Sequence, residues 1–104
     1  MITSTSNAQI KELAKLQKKS RLRDEKGIFL VEGPRMTGEI PAERIEKVYA
    51  SESFAKKNKE FLERLQAPVE LLTDTVFAYV SDTKTPQGIL AIVKRLSYTM
   101  NDLM

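Results

Sequence analysis

The 104-residue sequence contains no cysteine, no histidine and no tryptophan, and each absence removes a class of chemistry. Without thiols there is no disulfide staple, no thiolate nucleophile and no sulfur ligand for zinc. Without imidazole there is no Ser-His-Asp triad and no histidine general base. No apolar run approaches the roughly 18 residues of a membrane span, and the polar start MITSTSNAQ is unlike a secretory signal. The expected location is the cytoplasm. Glycine and proline number four each, and neither GxxxxGK[ST] nor GxGxxG, the phosphate-cradling patterns, occurs. The carboxylates are scattered, with no cluster spaced to ligate a metal.

What remains is an ordinary globular composition, 41% hydrophobic and 30% charged, at a length that favours one compact domain. The formal charge of +3 comes from 17 bases against 14 acids. It is unevenly placed. Residues 1–26 hold seven bases (Lys11, Lys15, Lys18, Lys19, Arg21, Arg23 and Lys26) and three acids, whereas the rest of the chain holds ten and eleven. An anionic partner should therefore meet the first quarter of the chain first.

Ser6 followed by Gln9 has capping-box spacing and predicts a helix over 6–19. At a helical period, Ile10, Leu13, Ala14 and Leu16 gather on one side, and Lys11, Lys15, Lys18 and Lys19 on the other. Polar residues 20–26 read as a connector to a buried strand at 28–31, ended by Glu32-Gly33-Pro34-Arg35, and Pro34 suits the first turn of a short helix. A strand over 45–50 precedes a helix through Phe54, Phe61, Leu62 and Leu65, capped by Ser51 or Ser53. Val69 to Leu72 predicts a third strand, Thr73 or Asp74 caps a short helix through Val76, Phe77 and Val80, and a turn-rich segment over 81–88 leads to the apolar run 89–93, a central strand. This alternation predicts an α/β sandwich with helices on both sides of a largely parallel sheet.

Three constellations carry possible chemistry, each beside a plainer reading. The basic helix face with Arg21 and Arg23 suits a phosphate backbone, or is a solvated exterior. Glu32 to Arg35 places ligand groups at a strand-to-helix turn, or serves only the turn, with Glu32 capping the helix and Arg35 solvated or paired with it. The hydroxyls, amide and lysine of Thr83, Lys84, Thr85 and Gln87 suit RNA sugar and phosphate, or are turn chemistry.

Taken together, residues 2–16 (ITSTSNAQIKELAKL), Arg21 leading to GIFLVEGPR at 27–35, and SDTKTPQGILAIV at 81–93 resemble the N-terminal substrate-binding domain of SpoU/TrmH-type RNA 2′-O-ribose methyltransferases. The resemblance implies a three-layer αβα sandwich similar to kink-turn-binding ribosomal proteins, and rRNA or tRNA as partner. With that reading, the basic residues and polar turns expected to form the RNA site are Lys11, Lys15, Lys18, Lys19, Arg21, Arg23, Lys26, Glu32, Arg35, Thr83, Lys84, Thr85 and Gln87, with 1–94 the RNA-binding domain and 95–104 a tail or linker start. In the family, S-adenosylmethionine binding, methyl transfer and dimerisation belong to a following knotted domain with no counterpart here, so no catalytic residue, cofactor contact or metal ligand is expected in this chain. Gly38 and Pro41 depart from the family by interrupting what is often a longer helix. Two other readings stay open: a free-standing RNA-binding module, and a protein-docking or dimerisation domain whose lysines only solubilise it.

Overall fold

The structure is a computed structural model that describes residues 1–95; the tail expected at 95–104 falls, from residue 96 onward, outside the described residues. Its first helix, α1 (Ala8–Lys18), starts one residue later than the capping box implies, because the Asn7 side chain accepts from Gln9 N at 2.8 Å. Residues Ser20–Lys26 are a second helix, α2, and not a connector. Its Arg, Leu, Glu and Lys are good helix formers. The break at Lys19 is an extended residue between the two helices, and Gly27, at φ 66°, ends α2 in the left-handed conformation that glycine tolerates.

Strand β1 (Ile28–Glu32) follows, then α3 (Pro34–Glu39) with Pro34 in its first turn, a single 3-10 turn over Ala42–Arg44, and β2 (Ile45–Ser51). The helix expected through Phe54 and Leu65 is two helices, α4 (Glu52–Lys57) and α5 (Lys59–Arg64). Asn58 breaks them at φ −130°, ψ 39°, its side-chain amide donating to Phe54 O at 3.1 Å. Ser51 caps α4 and Thr73 caps α6 (Asp74–Val80), which follows β3 (Val69–Leu72). The last strand is β4 (Ile89–Lys94).

The sheet order is β1-β4-β2-β3. β4 pairs antiparallel with both β1 and β2, and only β2 with β3 is parallel, so the expected largely parallel sheet is instead mixed. The connection explains it. A seven-residue α6 rises only about 10 Å, and the following loop returns the chain to the end of the sheet where β3 finished. β4 must then run against its neighbours.

Side-chain alternation along β4 supplies both cores. Leu90 faces Ile10, Leu13 and Ala14 of α1 and Val76, Phe77 and Val80 of α6. Ile89, Ala91 and Val93 face Phe54 of α4, with half-buried Phe61, Leu62 and Leu65 completing that side. Helices thus cover both faces of the sheet, and β4 is its buried centre as expected. Among the described residues no helix is long and apolar enough to cross a membrane.

One polar tie joins the two helical layers: Asp74, at the start of α6, accepts from Ser53 N at 3.1 Å and from the Ser53 hydroxyl of α4. These hydrogen bonds, chiefly the Ser53 hydroxyl, hold the Asp74 carboxyl below its ordinary value. Because the folded state lowers that value, the stabilisation is complete above the ordinary carboxylate range and is lost as pH falls through the depressed folded value. Urea midpoints of the wild type and Asp74→Asn should differ most near neutrality and converge below about pH 4. A gap independent of pH would contradict this role.

Candidate nucleic-acid interface

Five of the seven amino-terminal cations are exposed and unpaired among the described residues: Lys11, Lys15, Lys18, Lys19 and Arg21. The break at Lys19 turns α2 away from α1, so Lys15, Lys18, Lys19 and Arg21, with Ser20, Leu22 and Glu25, line one shallow concavity of about 580 Å³. The other two cations are engaged. Arg23 is half-buried and turns its guanidinium back to α1, donating to Gln17 O at 3.0 Å and to Leu16 O. Those carbonyls, at the end of α1, lack helical partners of their own, and the arginine satisfies them. Lys26 lies 3.3 Å from Glu12, an exposed pair worth little to stability.

The second group gathers on one carboxylate. Glu32, at the end of β1, is half-buried. Its Oε1 accepts from Ser81 Oγ at 2.8 Å, and its Oε2 accepts from Ser81 Oγ at 2.9 Å, Thr83 Oγ1 at 3.2 Å and Gln87 N at 3.1 Å. The donors are 49 to 55 residues away in sequence. Glu32 therefore holds the 81–88 loop against the end of the sheet, and it neither caps α3 nor pairs with Arg35. Gly33 makes this approach possible. At φ 108° it occupies backbone space open chiefly to glycine, and a Cβ there would stand 2.7 Å from Gln87 Oε1. Arg35, Lys84 and Thr85 are exposed beside this brace.

The two groups are linked through the helix ends. Gln17 Nε2 of α1 donates to Val80 O, the last carbonyl of α6, at 3.0 Å. Ser81 follows Val80 directly and reaches Glu32. A continuous polar path therefore runs from Arg23 through the end of α1 to Val80, Ser81, Glu32 and Gln87 and links the end of α1 to the loop, while α2 runs on toward the other end of the sheet, where Gly27 O accepts from Arg95 N at 2.8 Å. Gln17 and Ser81 were not singled out from sequence, and no spacing rule would have found them, because each acts across more than forty residues.

Among the described residues no group of carboxylates is arranged to hold a metal. An apolar concavity of about 560 Å³, lined by Ala55, Leu62, Val69 and Leu71 with Lys56, Lys59, Glu52, Glu63 and Met1, lies on the α4–α5 side.

The MRM3-like substrate binding domain matches residues 7–91. The chain belongs to that family. Among solved structures it is similar to an RNA 2′-O ribose methyltransferase at 29% identity and a TM-score of 0.75, over 95% of this chain and 39% of that one. A TrmH-family RNA methyltransferase, described as putative, from Porphyromonas gingivalis matches at 19% identity and a TM-score of 0.67, over 92% and 38%. The SpoU methyltransferase AviRb from Streptomyces viridochromogenes, solved with AdoMet, matches at 16% and 0.70, over 91% and 38%; at these two lower identities the likeness is one of fold. The resemblance read from residues 2–16, 27–35 and 81–93 is borne out, and this substrate-binding domain spans about two-fifths of the length of the enzymes it matches. No curated protein matches the sequence significantly.

If Glu32 braces the loop, Glu32→Ala should speed hydrogen exchange at the Gln87 amide and lower stability by about 1–3 kcal/mol. An unchanged Gln87 exchange rate in that variant would show that the loop holds its shape without the carboxylate.

Proposed function

We propose that this domain docks RNA for a longer SpoU/TrmH-type ribose 2′-O-methyltransferase, whose S-adenosylmethionine site, methyl-transfer chemistry and dimer contacts belong to a part outside these 104 residues. The observation that carries this reading is the set of unpaired cations around the end of α1, which Gln17 and Val80 join to a braced polar loop. Lys11, Lys15, Lys18, Lys19 and Arg21 supply phosphate contacts, which dominate affinity and position the strand. Arg35, Lys84, Thr85 and the Gln87 side chain add sugar or base contacts, where the 2′-hydroxyl offers both a donor and an acceptor.

Arg23, Glu32 and Thr83 serve the site from behind. Arg23 satisfies the end of α1 from which the lysines project, and Glu32 with Thr83 fixes the loop. Lys26 remains within reach of phosphate, because its exposed pairing with Glu12 is readily exchanged. The domain takes residues 1–94 and leads from 95 toward the rest of the enzyme.

If about five phosphates are engaged, log K for single-stranded RNA should fall with log salt at a slope near −3 to −4. Fluorescence anisotropy across a salt series measures it, and a flat response would contradict the phosphate mechanism. The triple variant Lys15→Ala, Lys18→Ala, Arg21→Ala should weaken binding to unrelated RNA sequences by similar factors, with thermal stability unchanged. A loss confined to one sequence would assign those residues to base reading instead.

A further inference from the structure

Aromatic side chains in this fold are otherwise used for packing. Phe77 and Tyr49 are buried, Phe54 packs edge-to-face on Phe61 at 6.0 Å between ring centroids, and Phe29 lies under the Arg44 guanidinium. Tyr79 is the exception among the described residues: 53% of its surface is exposed, on a helix whose other large apolar side chains, Val76, Phe77 and Val80, are almost fully covered. Packing gives no reason for a large ring there.

Its place in the fold supplies one. Tyr79 directly precedes Val80, whose carbonyl accepts from Gln17 at 3.0 Å, and Lys18 directly follows Gln17. The ring and the lysine thus stand one residue to either side of the bond that joins α6 to α1. Two residues beyond Tyr79, Ser81 is fixed on Glu32. The tyrosine is therefore carried on backbone that is held to α1 through Val80 and to Glu32 through Ser81. Lys11 and Lys18, seven residues apart, share one flank of α1, opposite Gln9, whose side chain is occupied with Lys47. That flank is left to solvent and to an incoming anion.

We propose that Tyr79 is a stacking platform for an unpaired RNA base, held beside the phosphate-binding lysines so that a strand is gripped by its backbone and by one base at once. This inference rests on the RNA-docking reading above. Stacking needs only a flat ring with one open face and tolerates any base, since every base has a π-face. Unpaired bases in loops and strand ends are the form in which proteins take hold of RNA bases by stacking, because a paired base has both faces covered. The site therefore selects single-stranded over duplex RNA, and does so with little regard to sequence. The phenolic hydroxyl is not needed for the contact.

Anisotropy titrations of the wild type, Tyr79→Ala and Tyr79→Phe test it, using a fluorescein-labelled oligouridylate, an abasic oligonucleotide of the same length and charge, and a salt series on each. Tyr79→Ala should bind oligouridylate between about fivefold and about a hundredfold more weakly. It should bind the abasic strand as the wild type does, keep the wild-type salt slope and keep the wild-type melting temperature. Tyr79→Phe should bind both strands as the wild type does. Equal loss on both strands, or no loss on oligouridylate with the salt slope intact, overturns the stacking role while leaving RNA docking in place. Absence of salt-dependent binding by the wild type itself overturns the RNA-docking reading and the platform with it.

Discussion

The Glu32 carboxylate accepts from the side chains of Ser81 and Thr83 and from the backbone of Gln87, and the whole upper end of the domain takes its shape from that convergence. A partly desolvated carboxylate must be well supplied with donors, and here they all come from one distant loop. Glu32 closes β1, so the sheet and the loop are fixed in one act, and Gly33 lets the Gln87 side chain lie flat against the strand end. Through Val80 and Gln17 the same arrangement reaches α1. The spacing between the lysines and the loop is then set by hydrogen bonds between backbone and side chains rather than by the long, mobile lysine side chains themselves. Ordering is done before any partner arrives, which lowers the entropy cost of meeting one.

Charge is divided in the same economical way. Of the cations near the amino end, Arg23 is drawn inward to cover helix carbonyls, while its neighbours stay in water. The arginine fork suits that task because it can serve two carbonyls at once. A patch of this size gives little long-range steering at a net charge of +3, so on the proposed reading its contribution is short-range grip on phosphate.

Periodicity made the layers readable in advance: the apolar stripe of α1, the covered run of β4 and the caps at Ser51 and Thr73 all follow from local rules. The failures were of two kinds, local at α2 and Asn58 and non-local at β4 and Glu32. Residues 20–26 look like a connector because nothing in them is apolar except Leu22, and their helix closes on Arg23 contacts with the preceding one. The antiparallel placement of β4 depends on how short α6 is and where its loop lands. Glu32 was legible as a notable carboxylate at a turn, but its partners lie some fifty residues away, and no window of sequence contains both ends of that contact. Tyr79 was silent for a different reason: an apolar ring next to a helical stripe looks like core until exposure is measured.

The most direct test of the account is to titrate the nitrogen-15-labelled domain with a short single-stranded RNA at low salt and follow every backbone amide. The shifts should concentrate in residues 11–21, around residue 35 and in residues 79–87, leaving α4 and α5 quiet. Perturbations centred on α4 and α5, or none anywhere, would contradict the claim that the cations around the end of α1 and the braced loop are built to receive RNA.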